Sequence, residues 1–147
     1  MYEEYDVVQP EEELKRADHL VYVSLKYTRT CDIMKNAVKR LITAFELAMT
    51  EYLEAMKKKR KISEVPATVK ERAIIVKDLI GNPINKYMAL YNLLKKIDKS
   101  DYSAYEEFRK NVTLVTKGDK PISIKVEDLY NYLETTKMFV KFIRERM

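Results

Sequence analysis

The sequence predicts an all-α protein: a helical bundle of five to six helices, with room for a small β-hairpin near residues 112–126. Three observations carry that expectation. Only two glycines and four prolines occur among 147 residues, while Lys, Glu, Leu, Met and Ala are plentiful, so good helix formers abound and breakers are few. Apolar residues recur every three or four positions over most of the chain. The stretches between these patterns are short and carry cap and turn residues. Hydrophobic residues at 46% and charged residues at 35% make a globular balance rather than a disordered one. A chain of this length reads as a single helical-bundle domain over 1–147, burying about 68–70% of its unfolded surface.

Residues 1–9 read as a loose or partly docked lead. Pro10 suits the first position of a helix, where its missing N–H costs nothing, and Glu11 to Glu13 favour the positive end of the helix dipole. Leu14, Ala17, Val21, Leu25 and Thr28 then lie on one stripe, and His19 points away from it. A break or kink falls at "RTCD", residues 29–32. The strongest pattern follows: Met34, Val38, Leu41, Phe45, Ala48, Tyr52 and Ala55, flanked by Ile33, Ala37, Ile42, Met49 and Met56. It predicts one helix of about 30 residues, ~45 Å long, whose wide apolar face marks a central pillar.

That helix ends in "KKKRK", and "ISEVPA" connects it to the next. Thr68-Val-Lys-Glu71 matches a capping box, opening a helix that runs to about Ile80, with Gly81 and Pro83 marking its end. Ile84, Tyr87, Met88, Tyr91, Leu94 and Ile97 define another. Ser103-Ala-Tyr-Glu106 matches a second capping box, with Tyr105, Phe108 and Val112 as a short apolar edge. After Asn111, "VTLV" and "ISIKV" are short and β-branched, with "TKGDKP" between them. They form either a small hairpin or an extended loop closing two helices. Val126, Leu129, Leu133, Phe139, Val140 and Ile143 support a last helix.

Several function classes are excluded by counting. Cys31 is the only cysteine and His19 the only histidine. No intramolecular disulfide, Cys-based metal site or usual catalytic dyad can form within one chain. No Glu-x-x-His motif supplies metal ligands, and Glu106–Glu107, being adjacent, cannot both face one ion on a helix. Gly81 and Gly118 stand alone, so there is no phosphate loop. Neither a metal nor a cofactor is expected. The acidic N-terminus lacks a signal-peptide core and no apolar run approaches the ~18 residues of a membrane span, so a soluble cytoplasmic protein is expected. A net charge of +5 and a pI of about 9.1 favour anionic partners, RNA included. Abundant Lys, Arg, Glu, Ile and Tyr with scarce Gln fit a thermophile's composition.

Four features invite a functional reading. Lys57 to Lys61 is either a nucleic-acid patch or a solvated helix end whose cations complement the dipole. Tyr87, Tyr91, Tyr102 and Tyr105 either stack bases or sit in and around the core. Arg109, Lys110, Asn111, Lys117 and Lys120 place four cations and an amide around a turn, where they either gather a phosphate or form a hydrophilic loop with Arg109 paired to Glu106 or Asp119. The apolar face carrying Met34, Val38, Leu41, Phe45, Met49 and Tyr52 is a candidate interface. A bundle of this size that leaves part of it uncovered would expose a homodimer patch.

The order of elements resembles the HEPN superfamily of small helical domains over about Glu11 to Met147. The likeness is carried by "EEELKRADHLVYVSLKY", by "DIMKNAVKRLITAFELAMTEYLEAM" and by "FRKNVTLV…ISIKVEDLYNYLETTKMFVKFI". Many HEPN proteins begin a motif with Arg-Asn or Arg-Asp, place a histidine four to six residues after the arginine, and start their last helix shortly beyond. The resemblance implies a metal-independent ribonuclease whose paired Arg and His residues meet at a dimer interface, often beside a nucleotidyltransferase-type partner in a toxin–antitoxin pair. Arg109 takes the arginine role here and Asn111 is offset by one position. The window through Val115 or Thr116 contains no histidine. Metal-free cleavage of RNA needs a group that moves protons near neutral pH. The expectation is therefore a non-catalytic HEPN-like homodimer binding RNA, a nucleotide or a partner protein. A ribonuclease using Arg109 with Tyr or Lys groups is the alternative, and a structural interaction module is the third.

Overall fold

Pro10 occupies the first turn of α1 (Pro10–His19), in the computed structural model that describes residues 8–147; the lead at 1–7 lies outside the described residues. The helix does not stop at His19. One π-helical turn, Leu20–Ser24, carries it into the short α2 (Leu25–Tyr27). Leu14, Ala17, Val21 and Leu25 are buried as their spacing predicts, while Thr28 is exposed and ends the helix. The break at Arg29 is followed by Thr30, whose hydroxyl accepts the Ile33 N–H and caps α3 (Cys31–Lys58).

α3 is the pillar. α1, α4 (Val69–Ile80), α5 (Asn85–Lys99) and α6 (Val126–Arg144) all pack against it. The Phe45 ring lies 4.5 Å from Phe139 and 5.5 Å from Tyr91, measured between centroids. Covering on several sides corrects one expectation. Met34, Val38, Leu41, Phe45, Met49 and Tyr52 are each 4% exposed or less. Their apolar face is spent on the chain's own core and presents no patch to a second molecule. Tyr87 and Tyr91 are also buried, and the Tyr91 hydroxyl donates to Glu46 at 2.8 Å.

The Thr68 hydroxyl accepts the Glu71 N–H at 3.2 Å at the start of α4. Gly81, at φ 82°, ends that helix before a 3₁₀ turn at Asn82–Ile84. The expected hairpin is present and larger than the sequence suggests. β1 (Tyr102–Tyr105), β2 (Thr113–Thr116) and β3 (Ser123–Lys125) form an antiparallel sheet in the order β1-β2-β3. Ser103 pairs with Val115 and Ala104 with Leu114. The second capping-box match therefore opens no helix: Ser103 sits in a strand, and Tyr105, Phe108 and Val112 belong to a strand and the loop after it. Leu114 and Ile124 face the core. Among the described residues no helix is long and apolar enough to cross a membrane.

Candidate nucleic-acid interface

The loop from Glu106 to Val112 joins β1 to β2, so Arg109 stands in a strand-to-strand connection and not at a helix end. Glu106 (φ 56°) and Phe108 (φ 67°) both adopt left-handed backbone. A bulky side chain pays for that conformation in sterics, about 1–3 kcal/mol, so the surroundings must hold it. They do so at the mouth of α3. The Phe108 N–H donates to the Arg29 carbonyl at 2.7 Å. The Glu107 carboxylate accepts the Cys31 N–H at 2.8 Å. The Cys31 thiol donates to the Thr113 carbonyl at 3.4 Å, and the Tyr102 hydroxyl donates to Asp32 at 2.5 Å.

This arrangement decides what the loop can bind. The positive end of α3 is already occupied by the protein's own Glu107 carboxylate, so no external anion sits there. Burial, with Glu107 next in effect, pushes the Cys31 thiol up to about 11. Cys31 is held neutral and inert, as a buried thiol without a base should be. The hydrogen bond to Asp32, followed by burial, pushes the Tyr102 hydroxyl up to about 12.

The five polar candidates do not converge. Arg109, Lys110 and Asn111 precede β2, whereas Lys117 and Lys120 follow it. The six steps of chain from Asn111 to Lys117, mostly along β2, place the two groups roughly 20 Å apart. Arg109 faces Glu106 at 3.8 Å, and its side chain remains 75% exposed. An exposed pair of that length holds its partners weakly, leaving the guanidinium available. Lys57 and Lys58 form the last turn of α3, as the helix-end reading had it.

Beside the first group lie aromatic rings in water. Phe108 is 72% exposed, Tyr105 54% and Tyr27 80%. The Phe108–Arg29 hydrogen bond sets the loop next to the α2 end, two residues from Tyr27. Arg29 also lines a cleft of about 330 Å³ with Tyr22, Leu25, Lys26 and Tyr130, where the Tyr22 and Tyr130 rings stack at 4.8 Å. Aromatic faces interleaved with Arg29, Lys26, Arg109 and Lys110 make the composition that takes up single-stranded nucleic acid. Tyr22, Tyr27, Arg29, Phe108 and Tyr130 were not among the sequence candidates. The one local hint was "KYTRT", an aromatic and two cations at a helix break; the rest depends on β1–β2 pairing bringing residue 108 to residue 29.

Among the described residues no cluster of His, Cys, Asp and Glu could hold a metal ion. No family model matches the chain, and no curated protein or solved structure matches it.

Proposed function

We propose that the chain is a HEPN-like helical protein that binds single-stranded RNA without cutting it, through the loop after β1 and the adjoining end of α2. Phe108 carries this reading. A large apolar ring held in left-handed backbone and turned to solvent serves no packing purpose in its own fold. Strain of that kind is retained where a ligand needs the side chain. The flanking Arg109 and Lys110 supply phosphate contacts, and Phe108, Tyr105 and Tyr27 supply faces for bases. The only histidine available to move a proton in cleavage, His19, ends α1 on an exposed face. It lies ten residues before Arg29, which at 1.5 Å per helical residue is roughly 15 Å.

Retention of a mixed-sequence single-stranded RNA over a salt series tests the reading. Binding is expected at low salt and should weaken as salt rises, with a shallower slope, by about 0.7 per lost contact, for Arg109→Ala and for Lys110→Ala. The RNA should be recovered intact. No retention at low salt contradicts the proposal, and metal-free breakdown of the RNA replaces it with the nuclease reading.

A further inference from the structure

Among the described residues, one stripe of α3 has no helix laid over it. Asn36, Arg40, Thr43, Leu47, Thr50 and Glu54 advance by four, three, four, three and four, so they share a face. All six are half-buried or exposed. They floor two adjoining grooves, of about 570 Å³ and 340 Å³, that share Arg40 and Thr43; α1 walls the larger and Leu20 of the π-turn bounds the smaller. Thr43 and Thr50 are short and fold their hydroxyls back onto the Lys39 and Glu46 carbonyls, at 3.1 and 3.0 Å, which keeps the helix surface low on either side of Leu47.

Charge is graded along the stripe. Its N-terminal half holds Arg40, beside Lys39, which is paired to Asp98 on α5 at 2.8 Å, and its C-terminal half holds Glu54, with Glu51 beside it. Arg40 is fixed through one nitrogen, Nη1, to the buried Glu13 carboxylate at 3.3 Å, which leaves the rest of its five-donor fork directed elsewhere. Glu51 is bonded to Arg144. Burial and then the neighbouring Glu54 raise its pKa above the ordinary carboxylate value. Arg40 and Glu54 each lie seven residues, two helical turns, from Leu47, and Thr43 and Glu51 each lie four.

We propose that this stripe is a two-fold docking surface for a second copy of the chain, with the two α3 helices antiparallel and Leu47 at the axis. A two-fold contact must be complementary to itself. This register sets Arg40 of one copy against the second copy's acidic end at Glu54, and Thr43 against Glu51, twice over. Leu47 meets its own counterpart between short threonines that let the helices approach. The groove runs from residue 36 to residue 54, about 27 Å of helix, and does not include the loop after β1. The inference stands independently of the RNA reading.

Sedimentation and light scattering of the full chain over a wide concentration range test it, with unfolding curves to confirm that each variant folds. The wild-type chain is expected at twice its monomer mass of 17.4 kDa. Leu47→Asp, which opposes two carboxylates at the axis, should be monomeric. Glu54→Lys should weaken association roughly tenfold by facing Arg40 with a like charge at two symmetric contacts. A short bis-maleimide should link Leu47→Cys chains to each other and leave Asn92→Cys chains on α5 unlinked, with the wild type and its buried Cys31 as the blank. A wild-type monomer at every concentration overturns the proposal. So does a Leu47→Asp variant that stays dimeric, or equal linking at residues 47 and 92.

Discussion

Phe108 separates stability from function at the residue scale. Glycine adopts a positive φ freely, so Phe108→Gly removes a steric cost while adding freedom to the unfolded chain. The expected outcome is a folded state as stable as the wild type or up to about 1 kcal/mol more stable, read from denaturant unfolding. A loss greater than that would make Phe108 a packing residue and undercut its role. Cys31 gives a second test. Its thiol pKa is raised from the ordinary 9.0 to about 11 in the folded chain, so the unfolded state releases the proton first. Stability is fully present below pH 9 and is lost as pH rises towards 11, on the order of 2 kcal/mol. Cys31→Ala should show a shallower fall than the wild type over that window, whatever its stability at neutral pH. Neither residue could be read from sequence in these terms. Phe108 looked like part of an apolar helix edge, and the Glu107 neighbour of Cys31, 76 residues away, left no sign in the sequence.

The ends of elements were the best-written part of the sequence, because caps are local. Pro10, Thr30, Thr68 and Gly81 act where short-range rules place them. α3 ends less ideally. The Lys61 N–H returns to the Met56 carbonyl and the Arg60 N–H to the Lys57 carbonyl, with Arg60 left-handed at φ 60°. That is a Schellman closure with arginine in the position that favours glycine. Arg60→Gly should raise stability by about 0.5–1 kcal/mol, measured by chemical denaturation; a decrease would mean that the Arg60 side chain is doing structural work. Ser103-x-x-Glu106 failed as a cap for the opposite reason. The same four residues can start a helix or form a strand, and pairing with Val115 and Leu114 across the loop decides between them. Local propensity gives way when a partner strand is available. The π-turn at Leu20–Ser24 left no trace in the apolar spacing either, since Leu14 to Leu25 keep an ordinary helical stripe.

At the scale of the whole molecule, the helical class, the long pillar and the hairpin were legible because periodicity reports which faces are buried. What covers those faces was not legible. The widest apolar stripe is enclosed by α1, α5 and α6, and among the described residues the open face of α3 is the mixed stripe through Leu47, which hydropathy alone passes over. The candidate site was half legible: Arg109, Lys110 and Asn111 belong to the loop, Lys117 and Lys120 do not, and the aromatic rings arrive through tertiary contacts. The most direct test of the central claim is a titration of a fluorescent single-stranded RNA with wild type and with Phe108→Gly at low salt, followed by anisotropy. Loss of one stacked base predicts binding weakened by about 5- to 150-fold, from ~1–3 kcal/mol per base, with the unfolding midpoint of the protein not lowered. Equal affinity for the two proteins, or no binding by the wild type, would contradict it.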